Sequence, residues 1–200
     1  MFKTKSSRNT KKKIRKKNKL IVEKTAIEGL LIITPDIFTD ERGAFYESYN
    51  KQKWTEAGIS HTFVQDNQSC SKRGVVRGLH FQKPPFAQAK LVRVIQGAVL
   101  DVAVDIRRSS PTYGQHVSVL LSADNYKQFF LPCGFAHGFI ALEDNTLFAY
   151  KCSQFYHKEA EEAILYNDPL LRIDWGYSQP IVSEKDLQGI EFKDFITPFD

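Results

Sequence analysis

Between Lys90 and Ile106 the sequence KLVRVIQGAVLDVAVDI changes character at every second residue. On an extended chain Leu100, Val102, Val104 and Ile106 share one face, and Asp101, Ala103 and Asp105 share the other. A period of two does not suit a helix, whose faces recur every 3.6 residues. The alternation returns in QHVSVLLSA, with Val117, Val119 and Leu121 on one side, and again in TLFAYKCSQFY. Gln96-Gly97 divides the first run and reads as a hairpin turn between two strands. Helical signals are few: a turn or two at NKQKWTEAG, stopped by Gly58, and a capping box at SEKD, residues 183–186. Many short strands with turns between them predict a mainly β fold, an antiparallel sandwich or barrel with a few short helices.

Two hundred residues, 42% of them hydrophobic, suffice for one domain with a sizeable core. Residues 1–19 hold ten of the 28 Lys and Arg and none of the 23 acids, so the rest of the chain carries 18 basic against 23 acidic residues, a balance of −5. Residues 1–21 are therefore expected to be a basic, disordered tail, and residues 22–200 a single domain. Such a tail can touch nucleic acid or anionic lipid through charge alone. A solvated extension is the simpler expectation, and no specific nucleic-acid partner is predicted. No apolar run reaches the ~20 residues of a bilayer-spanning helix, and no apolar segment of the secretory kind follows the basic N-terminus. The cysteines, Cys70, Cys133 and Cys152, are odd in number and form no CxxC pair. That argues against a disulfide framework or a structural zinc site and for a reducing, cytoplasmic setting.

LPCGFAHGF, residues 131–139, has the spacing P-x-G-x-x-H and resembles the second signature motif of the cupin jelly roll, in which Pro and Gly turn the chain and the histidine, here His137, points inward. A metal-binding cupin would offer His-x-His and a glutamate upstream. This chain has His80-Phe81-Gln82 there, and the next acid is Asp101. An amide is a poor ligand, and zinc or iron sites want three or more nitrogen, sulfur or carboxylate donors. No metal is expected, which leaves His80 as a base or as a core histidine.

The segments RGLHFQKPPFAQAKLVRVIQGAVLDVAVDIR, SPTYGQ, PCGFAHGF, YKCSQFY and SEKD, with DERGAFYES and FVQDNQS upstream, resemble the dTDP-4-dehydrorhamnose 3,5-epimerases. The resemblance runs from about residue 22 to 190. Ala89 departs from it, since the family commonly has glycine there. The resemblance implies a cupin-like jelly-roll enzyme, a homodimer without metal or other cofactor. Its substrate would be a dTDP-4-keto-6-deoxy sugar, inverted at carbons 3 and 5 for dTDP-L-rhamnose and hence for cell-envelope polysaccharide. The alternatives are an epimerase acting at one carbon, a 3,4-ketoisomerase, and a non-catalytic cupin that binds a sugar or nucleic acid.

Inversion next to a ketone needs a base on one face of the sugar, an acid on the other, and a cation or donor at the enolate oxygen. The resemblance assigns His80 as base, Asp186 as its carboxylate partner, Tyr150 as acid and Lys90 at the enolate. Asp168, in the turn-like YNDP, is a rival for the partner role. Tyr156 is a rival for the acid, sharing a face with Phe148 and Tyr150 if the strand stays regular. Lys90 shares a face with Val92 and Val94, a costly place for a cation without a role. Arg93 points the other way. Arg77 matches a diphosphate-binding arginine, and His137, Arg42, Glu47, Gln65, Asn67, Glu161 and Lys185 match further substrate-binding positions. In EAEEA the register leaves Glu161 and Glu162 open.

Overall fold

The computed structural model describes residues 20–200. In chain order it forms β1 (Ile21–Lys24), β2 (Leu31–Thr34), β3 (Ile37–Asp40), β4 (Gly43–Tyr46), α1 (Lys51–Glu56), β5 (Gln65–Ser71), β6 (Val76–Gln82), β7 (Lys90–Gln96), β8 (Ala98–Asp105), β9 (His116–Ser122), β10 (Gln128–Leu131), β11 (Phe135–Ala141), β12 (Thr146–Cys152), β13 (Glu161–Ala163) and α2 (Glu184–Leu187). One sheet has the order β1-β2-β10-β7-β12-β5 and a second β13-β6-β11-β8-β9; β3 and β4 form a separate hairpin. Every strand pair is antiparallel. This is the antiparallel arrangement anticipated from the alternation, in the cupin-like jelly-roll form that the resemblance implies. The basic tail expected over residues 1–21 lies, as far as residue 19, outside the described residues. Leu20 packs on the body of the fold and Ile21 opens β1.

The alternation becomes three apolar layers. Between the sheets, Val92, Val94, Phe129 and Phe148 meet Val99, Ala103, Val119, Leu121 and Phe139. On the outer side of the five-stranded sheet, Val102, Val104, Ile106 and Ile140 are covered by Ile164, Leu171, Trp175 and Phe195 from the C-terminal segment. Strand β8 is thus apolar on its outward face, and its mixed face looks inward. Outside the six-stranded sheet, Trp54 of α1 and Ile59 pack on Ile33, Leu91 and Phe130, with Ala89 fully buried among them. Each large side chain removed from water contributes about 1.5–3 kcal/mol to this framework.

One expectation fails. Gln96-Gly97 is not a hairpin, because β7 and β8 belong to different sheets. Gly97, at φ 78°, carries the chain from one sheet to the other, and a Cβ there would lie 2.5 Å from Thr146 Oγ1. Local alternation specifies two strands and a reversal between them, but not the partners that each strand finds.

Candidate active site

The cavity of about 530 Å³ between the sheets is lined by His80, Lys90, His137, Tyr150, Arg77, Glu161, Lys185 and Asp186 among others. Its two walls come from different sheets. Strands β6 and β11 bring His80 and His137 side by side as register partners. Their close approach depends on glycine: a Cβ on Gly78 would lie 2.4 Å from the Gly138 Cα. The facing wall carries Lys90 on β7 and Tyr150 on β12, with the Lys90 ammonium 5.9 Å from the Tyr150 ring centroid.

The SEKD segment crosses the cavity because Ile181 pairs with Val75 at the start of β6. Ser183 caps α2 by accepting the Asp186 backbone N–H at 3.2 Å. The Asp186 carboxylate is thereby free to face β6. Its Oδ1 lies 2.6 Å from His80 Nε2, and its Oδ2 accepts the Gly78 N–H at 3.4 Å. Burial pushes the Asp186 carboxyl upward, but the His80 hydrogen bond and charge outweigh it, and it titrates below its ordinary value. The capping role and the histidine partnership coexist. The rival, Asp168, accepts the Leu170 and Phe192 backbone N–H groups at 2.8 and 2.7 Å and serves a turn.

His137 is buried, and its Nε2 lies 3.0 Å from the Asp101 carboxylate. Burial lowers its pKa, against the pull of Asp101. Burial also lowers the Lys90 ammonium, opposed by Cys152, Asp101 and Glu161. Burial raises the Tyr150 phenol, with a side-chain hydrogen bond from Asn67 acting the other way. Glu161 accepts from Tyr156 Oη at 2.8 Å and from Lys185. Burial alone would raise its carboxyl; the two donors bring it below normal. Glu162 instead accepts from Lys83 at 2.6 Å, which resolves the register left open in EAEEA.

Gln65 and Asn67 line a smaller recess that shares His80, Lys90 and Tyr150 with the main cavity. Arg77 donates to Ser71 Oγ at 3.2 Å and is exposed. Arg42 and Glu47 are not brought to the cluster. Arg42 sits at the β3–β4 turn paired with Asp40 at 2.7 Å, and Glu47 pairs with Lys53. Arg93, outside the sheet, donates to Tyr46 Oη at 3.4 Å.

Tyr156 does not continue the Tyr150 face. Strand β12 ends at Cys152, and Ser153 bends the chain by bonding Ala89 through both its N–H and its hydroxyl, at 2.9 and 2.8 Å. Tyr156 returns to the recess from the loop. Asp101 was missed as a partner of His137. Its signal was a carboxylate on the same inward face as Ala103 in an otherwise apolar strand. Gln82 spends its amide on the backbone: Nε2 donates to Phe86 and Phe155 carbonyls at 2.7 and 3.2 Å, and Oε1 accepts the His157 N–H at 2.7 Å.

The sequence model of the dTDP-4-dehydrorhamnose 3,5-epimerase family matches residues 24–194. The chain is 53% identical over 169 residues to the dTDP-4-dehydrorhamnose 3,5-epimerase of Salmonella typhimurium, covering 84% of this chain and 92% of that one. Its fold is similar to the crystal structure of the dTDP-6-deoxy-D-glucose-3,5-epimerase from Legionella pneumophila in complex with dTDP-4-keto-L-rhamnose, at TM-score 0.85 and 49% identity, over 88% of this chain and 95% of that one. A 3'-monoepimerase from Streptomyces bikiniensis, in complex with dTDP-quinovose, is similar at TM-score 0.79 and 32% identity, over 83% of this chain and 85% of that one.

Proposed function

The chain belongs to the dTDP-4-dehydrorhamnose 3,5-epimerase family, and on that premise we infer that it is an isomerase inverting carbons 3 and 5 of dTDP-4-dehydro-6-deoxy-D-glucose to give dTDP-4-dehydro-L-rhamnose. The observation that carries the reading is the pairing of His80 with Asp186 on one wall of a cavity whose other wall presents Lys90 and Tyr150.

Carbons 3 and 5 flank the 4-keto group, so each carbon–hydrogen bond becomes labile once the enolate is stabilised. His80 is the proposed base. Asp186 engages Nε2, which fixes the ring, stabilises the imidazolium and leaves Nδ1 to take the proton. Lys90 is placed to hold the enolate oxygen. Tyr150, whose phenol burial keeps protonated, returns a proton from the opposite face. One base and one acid serve both carbons if the ring shifts between steps.

Arg77 offers a guanidinium fork for the diphosphate. His137, Glu161, Lys185, Gln65 and Asn67 are proposed as further substrate contacts. Arg42 and Glu47 do not line this cavity, and a second copy could bring them to the nucleotide. We therefore propose a homodimer in which the β3–β4 hairpin crosses to its neighbour, in keeping with Phe45 and Phe38 at its surface, 70% and 44% exposed. Among the described residues no helix is long and apolar enough to cross a membrane. The free cysteines and the nucleotide-sugar substrate support a cytoplasmic location.

Turnover in heavy water tests the function. Each inverted carbon acquires one solvent deuterium, so both ring signals vanish from the proton NMR spectrum of the product. Label at one carbon alone would make the protein a single-carbon epimerase. Binding of the nucleotide sugar without any product would make it a non-catalytic cupin.

A further inference from the structure

Assigning Tyr150 as an acid leaves open which way its proton points. Side-chain amides can be turned end for end with little change of shape, so their polarity has to come from the network. A backbone N–H has only one polarity. The Tyr156 N–H lies 2.9 Å from Gln65 Oε1, which makes that end of Gln65 the acceptor. The other end, Nε2, is then the donor, and it lies 3.0 Å from Asn67 Oδ1. Asn67 is fixed in turn, with its Nδ2 presented to what lies beyond. One target is Cys152 Sγ at 3.8 Å, a weak acceptor. The other neighbour is Tyr150, beside it on the adjoining strand and on the rim of the same recess. Asn67 and Tyr150 are register partners in the β5–β12 ladder, so the contact is built into the sheet.

Two hydrogen bonds therefore run in one direction, from a loop N–H through two amides, and turn the donor end of Asn67 toward its neighbour Tyr150. An oxygen that receives an amide N–H cannot direct its own proton back along that line. The Tyr150 O–H is left to point into the cavity that its ring lines. We propose that Gln65 and Asn67 are positioning residues for proton delivery: the relay from the Tyr156 N–H aims the Tyr150 hydroxyl at the sugar and hydrogen-bonds the phenolate that remains after transfer. This rests on the epimerase reading and adds to it a role that substrate contact alone does not give these residues. Cys152 Sγ accepts one Asn67 N–H at 3.8 Å, which leaves the other for the phenol.

The test separates removal of a proton from its return. His80 is 27% exposed, so a proton it takes can exchange with solvent and come back on the same face. In heavy water, deuterium in recovered substrate reports removal, and deuterium in product reports delivery. Asn67→Ala and the near-isosteric Gln65→Glu, which still accepts the Tyr156 N–H but cannot donate to Asn67, are compared with the unaltered protein. We expect the ratio of labelled substrate to labelled product to rise about 10-fold or more in both, the worth of a hydrogen bond to a charged group. Tyr150→Phe shifts the same ratio further. A ratio unchanged in Gln65→Glu, or a loss of both labels in equal measure, would overturn the relay and return the two residues to binding alone. Absence of inverted product from the unaltered protein would instead sink the epimerase reading.

Discussion

On the five-stranded wall each histidine has a carboxylate on its Nε2, Asp186 at 2.6 Å from His80 and Asp101 at 3.0 Å from His137. On the six-stranded wall, among the described residues, no carboxylate hydrogen-bonds Lys90 or Tyr150; they face each other and an amide. In the proposed mechanism this difference gives proton flow its direction. A carboxylate behind an imidazole stabilises the ring once it has gained a proton. Burial of a phenol without a counter-charge makes it hold its proton until a strong base, the enolate, arrives. Burial of the lysine acts in the opposite sense and disfavours its charge. The negative charge that grows on the enolate oxygen then favours the lysine cation most in the transition state.

The largest effect comes from removing one wall at a time. His80→Asn should cost about 10³–10⁴-fold in turnover, the upper range for a general base. It should also abolish deuterium entry into recovered substrate, while dTDP affinity measured by calorimetry stays within about threefold. Tyr150→Phe should also cut product formation, by about 10²-fold or more, yet deuterium should still enter the substrate through His80. If Tyr150→Phe silenced exchange as fully as His80→Asn, the two walls would not divide removal from delivery.

How far these walls could be read from the sequence differs residue by residue. Lys90 beside Val92 and Val94 was legible, because a cation on an apolar strand face is costly without a role. Val117, Val119 and Leu121 were legible as core for the same periodic reason, and all three pack between the sheets. Asp101 was visible on the right face, but its pairing with His137 joins strands 36 residues apart, and alternation carries no information about such partners. The sheet exchange at Gly97 was hidden for that reason too. Tyr156 was misplaced because a pattern of two cannot announce that a strand stops, and the stop comes from Ser153 bonding Ala89. Arg42 and Glu47 match binding positions by motif, but neither lines the cavity: Arg42 sits in the turn of a hairpin whose strands pair with each other, and Glu47 just after it.

A smaller effect sharpens the contrast between the two aspartates of β8. Asp101 faces His137, whereas Asp105 accepts hydrogen bonds from Arg107, Ser110 and Thr112. Burial pushes the Asp105 carboxyl up, but these donors outweigh it and hold the pKa at about 2, against 3.8 ordinarily. A carboxyl depressed in the folded state stabilises it fully above the unfolded pKa, and that contribution is lost as the pH falls through the folded value. The window here is about pH 4 down to about pH 2, and the gap is worth roughly 2 kcal/mol. Asp105→Asn should lower stability at pH 7 by about that amount and flatten the acid limb of a urea-denaturation series, with kcat unchanged. A fall in kcat at constant stability would mean that the far end of β8 also tunes the site.

The smallest expected effect is that of a chelator, and its logic runs through the same comparison. A metal needs three or more donors converging on one point. On the histidine wall Asp186 and Asp101 each occupy one ring nitrogen of His80 and His137, which leaves one nitrogen apiece as a donor. Gln82, at the position where a metal-binding cupin has its second histidine, is bracketed by backbone groups of residues 86, 155 and 157. To ligate a metal, buried Gln82 would have to give up hydrogen bonds at about 1–3 kcal/mol apiece, and the two remaining imidazole nitrogens alone fall short of three donors. In the proposed mechanism Lys90, on the opposite wall, supplies the positive charge that a metal would bring to the enolate. Exhaustive dialysis against EDTA should therefore leave kcat and KM unchanged, and elemental analysis should find metal well below one equivalent per chain. Loss of turnover that one particular divalent ion restores would mean that the two histidines hold that ion through their remaining ring nitrogens, and the division of labour between the walls would have to be redrawn around it.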